Sequence, residues 1–528
     1  MINLAASTSF FALRPTSSLL SLSAVPSRSF TSRPRVFSYL RSGCHPENLA
    51  SRRSLSWLVS RQSTASAAAS VRRHPFFLPN PFRSKIIHPA FFSSTTSLTS
   101  PSLSIPANDA SSAAESNNTT DALPTLSTPA VSNWLLGCSA LVFGIIVVGG
   151  VTRLTESGLS ITEWKPFTGA IPPLTLVDWT LEFEKYKATP EFKLLNHRIT
   201  LDEFKSIFYM EWGHRVLGRL IGVVYVLPFA YLLSTRRLTR SLTLPLTGFS
   251  FLLGFQGFLG WYMVKSGLEE SLMDTPSAVP RVSQYRLAAH LGAALALYCG
   301  MLGTAFAVRS DWRWANGGTE KHIAALNEFL KTGGGRRFKA GVIGLLGLVF
   351  LTALSGAFVA GLDAGLVYNE FPMMGNHLVP PTDELFSPFY AKKADGSDLW
   401  WRNILENPTT VQFDHRCLAI TTYISTTALF LTTRFSPVIR ASLPALTRTA
   451  VTAAFHTVNL QLALGISTLL YLVPTPLAAM HQAGSVLLLS CFVGILSTLR
   501  RPGMAAQAWR RASVARTTGG PVVGKKAL

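Results

Sequence analysis

Eleven histidines occur in this chain, and four of them, His214, His290, His415 and His481, each lie near the start of an apolar run. An ionisable side chain inside an apolar helix is costly unless it faces the bundle interior and has a partner there. A hydrogen bond to a neighbouring helix explains one such histidine. It does not explain four at matching places. Neutral imidazole binds transition metals well, and one imidazole from each of two facing helices suits an iron porphyrin with two axial nitrogens. Zinc would need three or four His, Cys or carboxylate ligands near one point. The five cysteines, Cys44, Cys138, Cys299, Cys417 and Cys491, form neither a CxxC pair nor a CxxCH motif. They read as small apolar packing residues. Two haem sites follow, His214 with His290 and His415 with His481.

The stretch "EWGHRVLGR" adds a carboxylate. Glu211 stands three residues before His214, on the same helix face. Its counterpart before His415 is Gln412, which cannot titrate. That asymmetry places proton chemistry in the first half and electron transfer or structure in the second. The plainer alternative is that Glu211 only pairs with Arg215 or Arg219. Arg215 and Arg416 each follow a histidine. They either neutralise haem propionates or mark an interfacial helix end.

Positioning these residues requires helices that cross a bilayer. The chain has 528 residues, a formal charge of +21, 14% charged residues and 48% hydrophobic ones, with mean hydropathy +0.29. This balance indicates an integral membrane protein and excludes a nucleic-acid binder. A span takes roughly 20 apolar residues. Eight runs qualify, at 133–152, 212–233, 243–264, 287–308, 340–361, 412–433, 446–472 and 477–498. Lys/Arg clusters after the even-numbered spans put both termini on one side, the matrix side if the protein is imported into mitochondria. The two four-span halves are internally similar. "GLSITEWKPFTG" parallels "GLVYNEFPMMG", and Gln256 and Gly260 parallel Gln461 and Gly465. An even number of spans per half makes the repeat parallel rather than inverted. The expected fold class is all-α integral membrane, with eight transmembrane helices in two pseudo-symmetric four-helix bundles.

The expected organisation is a leader over 1–108, a linker over 109–130, an N-terminal bundle over 131–309, a matrix linker over 310–339, a C-terminal bundle over 340–500 and a basic tail over 501–528. The leader is Ser-rich and holds twelve Arg/Lys against one acid, Glu47. It reads as a mitochondrial transit peptide. The segments 153–210 and 362–411 are long loops of amphipathic character, able to shield a haem edge or guide an apolar tail.

The stretches "GGVTRLTESGLSITEWKPFTGAIPP", "EWGHRVLGR", "AAHLGA", "GAFVAGLDAGLVYNEFPMMG", "DHR" and "MHQAG" resemble those of the haem A synthase family. The resemblance covers roughly residues 131–500. It implies an enzyme of the mitochondrial inner membrane that oxidises the C8 methyl of haem O to a formyl group by successive hydroxylations, giving haem A for cytochrome c oxidase. Carried over by motif, His214 and His290 would ligate the substrate haem O, with Arg215 beside them. His415 and His481, with Arg416, would hold a haem b cofactor. Glu211 would be the catalytic carboxylate. Implied partners are the haem O–producing farnesyltransferase, a ferredoxin with its reductase, and cytochrome c oxidase assembly factors. Self-association is left open. Some bacterial relatives carry a cysteine pair in the first external loop. No cysteine lies between residues 153 and 210 here. The rival readings are a di-haem b-type cytochrome, a small-molecule permease and a haem-binding chaperone without turnover.

Overall fold

The computed structural model describes residues 123–166, 168–270 and 280–517. The leader expected to be a transit peptide lies outside the described residues, as do 109–122 of the linker, residues 271–279 and residues 518–528 of the tail. Eight long helices form: α1 (Pro129–Leu154), α2 (Leu201–Ser234), α3 (Arg240–Gly267), α4 (Gln284–Ala315), α5 (Gly333–Gly361), α6 (Pro408–Phe435), α7 (Ala445–Leu470) and α8 (Thr475–Thr498). Each covers one of the predicted apolar runs. No strand occurs among the described residues.

Seven of the eight are long and apolar enough to cross a membrane, and α6 is the one that falls short. The expectation of eight spans from apolarity alone is therefore met only in part. The reason is composition. Gln412, Asp414, His415, Arg416 and four Thr-Thr pairs dilute the apolar residues of α6. Much of that polarity is satisfied within the protein. The hydroxyls of Thr421 and Thr432 donate to the carbonyls of Cys417 and Ala428. Thr422 meets Thr352 of α5 at 2.8 Å.

The helices α1, α4, α5 and α8 pack on one another at the centre, and α2, α3, α6 and α7 flank them. Leu135 of α1, Leu295 and Met301 of α4, Val342 of α5 and Phe492 of α8 are buried in one shared apolar core. Small residues let the central helices approach. Gly150 of α1 faces Gln482 of α8 so closely that a side chain there would overlap it, and Gln482 Nε2 donates to the Ile146 carbonyl of α1 at 3.1 Å.

One helix runs well past its predicted bounds. The apolar run starts at 212, but α2 starts at Leu201, roughly three turns earlier. A capping box between Thr200 and Glu203 sets that start. The added turns bury Phe204 and Phe208 against Trp179, Phe183 and Tyr186. These come from the helix Leu176–Lys187 in the segment between α1 and α2. Phe204 stacks on Phe183 at 5.0 Å and on Tyr186 at 5.2 Å. The segment predicted as a loop is thus a small folded unit with its own aromatic core.

Candidate haem-ligand pairs and the Glu211 carboxylate

All four histidines sit on helices that face a partner helix, and each meets a glycine. A methyl carbon built on Gly149 of α1 would lie 3.0 Å from His214 Cε1, and one on Gly356 of α5 would lie 3.3 Å from His415 Cε1. The same construction gives 3.7 Å from Gly260 of α3 to His290 and 2.8 Å from Gly465 of α7 to His481. Three of the rings therefore sit closer than a side-chain carbon at the glycine would allow, while His290 is at an ordinary contact distance from Gly260. His214 and His290 lie within electrostatic reach of each other, as do His415 and His481. The members of each predicted pair thus lie near one another.

The backbone behind each pair repeats as well. Gln256 Nε2 donates to the His290 carbonyl at 3.1 Å, and Gln461 Nε2 donates to the His481 carbonyl at 2.9 Å. Nδ1 of His214, His290 and His481 is buried without a protein partner, while Nδ1 of His415 meets Ser355 Oγ at 2.7 Å. Buried polar atoms are almost always paired, and these three ring nitrogens are exceptions. Among the described residues no three His, Cys, Asp or Glu side chains converge on one point that could hold a bare metal ion. Two imidazoles per site, seated on glycine, fit a porphyrin iron.

The arginines after the histidines bind loop carbonyls. Arg215 Nη2 donates to Ile161 O at 2.9 Å and its Nη1 to Glu163 O at 3.1 Å. Arg416 Nη2 donates to Tyr368 O and its Nη1 to Met373 O, both at 3.0 Å. Ile161 and Tyr368 are equivalent residues of the repeat. Each arginine thus ties the segment after one helix to the histidine-bearing helix that follows. Arg219 does the same one turn on, through the carbonyls of Lys165 and Pro166.

Glu211 and Gln412 use that shared geometry in opposite senses. Glu211 is 3% exposed. Its Oε1 accepts from Arg215 Nε at 3.1 Å and Nη2 at 2.6 Å. Its Oε2 accepts from Ser160 Oγ at 2.7 Å and from the Ile161 amide at 2.8 Å. Gln412 instead donates its Nε2 to the Tyr368 carbonyl at 2.9 Å. The carboxylate captures the amide hydrogen of Ile161, and the amide side chain captures the carbonyl of the equivalent residue. Of Glu211's four donors, only the Ser160 hydroxyl can also accept a proton. The ion pair with Arg215 that the plainer reading expected is present, but it accounts for only one of the two oxygens.

Several residues of the site carry no sequence signal of their own. Asp363, just past α5, pairs with Arg153 from the end of α1 and with Arg281 before α4, both at 2.9 Å. This ties the first half to the second at the histidine end of the molecule. Asp363 has φ +50°, and its repeat equivalent Glu156 has φ +52°, a left-handed turn used twice. Glu191, on the short helix Pro190–Leu194, is 4% exposed, and its Oε2 is unpartnered. Burial, then the charges of Glu211 and Glu156, push its carboxyl up to about 8. In the segment between α5 and α6 Asp398 is just as buried. Burial there is outweighed by Arg402 and the amides of Lys392 and Lys393, which hold Asp398 down to about 2. "TPEF" reads as an ordinary helix start, so nothing local shows that Glu191 is enclosed. Gly149 and Gly356 were findable, because both lie in stretches that match between the halves.

An all-helical protein with seven helices suited to a bilayer and two glycine-seated imidazole pairs falls in the class of membrane proteins built to hold porphyrin iron. The family model described as Cytochrome oxidase assembly protein (COX15-CtaA) matches residues 132–493, and the chain belongs to that family. It is 45% identical over 416 residues to a Saccharomyces cerevisiae protein named "Heme A synthase COX15", covering 78% of this chain and 83% of that one. It is 47% identical over 371 residues to the Homo sapiens protein of that name, covering 70% and 83%. It is 49% identical over 374 residues to a Schizosaccharomyces pombe "Heme A synthase-mitochondrial ferredoxin fusion protein", covering 70% of this chain and 60% of the fusion.

Proposed function

We propose that the chain is a haem A synthase, oxidising the methyl group of haem O to a formyl group. The observation that carries this is a difference in titratable groups between two similarly built sites. Both have paired imidazoles on glycine, a glutamine on the second histidine's carbonyl and an arginine clamp, but only the first has a buried carboxylate. A di-haem electron-transfer protein needs the imidazoles and has no use for that difference.

His214 and His290 ligate the substrate haem O, and His415 and His481 hold a resident haem b. A haem ligated by two imidazoles supplies one-electron transfer chemistry. Arg215 and Arg416 hold the external segments over the two sites. The overall change converts a methyl group and one water to a formyl group, releasing four electrons and four protons. It proceeds through the alcohol and the geminal diol, which loses water. Glu211 takes a proton from the methyl carbon or from the attacking water at each oxidation. Ser160 is the neighbour through which that proton leaves, because its hydroxyl can accept as it donates.

The arrangement belonging to this reading is eight spans in two four-helix bundles, α1–α4 over 131–309 and α5–α8 over 340–500. The polar helix α6 crosses because part of its polarity, including the hydroxyls of Thr421, Thr422 and Thr432 and the Arg416 fork, is paired inside the protein. The leader directs the chain to the mitochondrial inner membrane, with both termini in the matrix. A ferredoxin with its reductase is the electron partner, which the relative fused to a ferredoxin supports. The haem O–producing farnesyltransferase and the cytochrome c oxidase assembly factors stand on either side of the reaction.

The deciding experiment supplies haem O to the purified full chain with a one-electron acceptor and extracts the pigment. Haem that has gained one oxygen and lost two hydrogens is the expected product. Reversible redox cycling with haem O unchanged would establish the electron-transfer reading instead.

A further inference from the structure

A cavity of about 560 Å³ lies between the end of α6, the short helix Pro437–Ser442 and the start of α7, and it is lined by Arg434, Arg440 and Arg448 together with Thr433, Thr452 and Phe430. No acidic residue lines it. Arg434 lies over the Phe435 ring and Arg448 Nη1 donates to the Arg440 carbonyl at 2.7 Å, and an anion in the cleft would offset the mutual repulsion of the three charges. Arginine is suited to holding one, because its planar fork matches phosphate oxygens. Its size falls in the range of small-ligand sites.

Position narrows the class of anion. Arg434 follows His415 on α6 by nineteen residues, or about 28 Å of helix. That is close to the thickness of a bilayer's hydrocarbon core, roughly 30 Å. The cleft therefore sits at the membrane boundary opposite the histidines. Apolar side chains surround it on the outside: Phe435 is 68% exposed, Val438 76% and Leu446 58%. A free anion has no use for that rim. A phospholipid uses both parts, phosphate in the cleft and acyl chains against the rim. Individually snorkelling arginines would not need to line one shared cleft.

We propose that this cleft binds the phosphate headgroup of an anionic phospholipid. Each arginine contributes about five-fold to affinity and the three together about 100-fold. The test uses the full chain in mild detergent, titrated with phosphatidylglycerol, cardiolipin, phosphatidylcholine or inorganic phosphate. Retained lipid is read by native mass spectrometry and stability by thermal unfolding. Anionic lipid is expected to bind and raise the unfolding temperature. The triple variant R434Q/R440Q/R448Q should lose about 100-fold in affinity, and R434Q alone about five-fold. Haem content and turnover should not change in either. The pair R336Q/R337Q, at the start of α5 outside the cavity, should bind as wild type does. Phosphatidylcholine binding as well as the anionic lipids would overturn the proposal. So would inorganic phosphate protecting as well as lipid, or unchanged affinity in the folded R434Q variant.

Discussion

Gly465→Ala places a methyl carbon 2.8 Å from His481 Cε1 and 3.4 Å from both ring nitrogens. Ordinary carbon contacts lie at about 3.5–4.0 Å, so the ring or the helix must retreat by about 0.7 Å or more. Overpacking of this kind costs about 1–3 kcal/mol. If the loss falls on the ligand that His481 holds, haem affinity drops about 5–150-fold. The four equivalent glycines give a graded series. Gly149→Ala meets His214 at 3.0 Å, Gly356→Ala meets His415 at 3.3 Å and Gly260→Ala meets His290 at 3.7 Å, an ordinary contact. Haem loss should follow that order, largest for Gly465→Ala and near zero for Gly260→Ala. The assay is haem per polypeptide by pyridine haemochrome, with dissociation rates measured by transfer to an apo-globin acceptor. Thermal unfolding of each variant separates ligand loss from unfolding. Gly260→Ala losing haem as fast as Gly465→Ala would refute the claim that glycine seats these rings.

Glu211→Gln should retain both haems while formyl product falls by about 100-fold or more, the scale of a lost general base; product at the wild-type rate in an extraction assay would reject the role. Ser160→Ala removes the one donor to Glu211 that can also accept, and a smaller fall of about ten-fold in turnover with haem binding intact is expected, read in the same assay. Glu191→Gln tests the buried acid. Its folded carboxyl titrates at about 8 against an ordinary 4.5, so the fold holds the proton more tightly than the unfolded chain does. The wild type is then most favoured below pH 4.5 and loses stability as pH rises to about 8. The interval is worth about 5 kcal/mol at full effect. Thermal unfolding from pH 5 to 9 should show a wild-type decline that Glu191→Gln lacks; parallel curves would mean that Glu191 is not held protonated. Asp363→Asn removes a charge shared by Arg153 and Arg281. It should lower the unfolding temperature by several degrees, with each haem pair still able to bind.

Local patterning made the helices legible. Apolar runs marked all eight long elements, and the repeat alone matched the four histidines in two pairs. The start of α2 was not legible, because its first turns are stabilised by Trp179, Phe183 and Tyr186 from another helix rather than by apolarity along its own length. Nor was the shortfall of α6, where the chemistry-bearing residues and threonine pairs that suit the interior lower the very hydropathy used to find spans.

Residue type and spacing alone singled out four histidines at matching places in two halves, and a carboxylate in one half only. Those features are local and repeat along the chain. Tertiary structure decided what the partners do. It turned Arg215 and Arg416 onto loop carbonyls, surrounded Glu211 with four donors, joined the halves through Asp363 and enclosed Glu191 without a counter-charge. Each depends on atoms distant in sequence meeting at a few ångströms, and hydrogen bonding and desolvation are set by that meeting rather than by the residues' own identities.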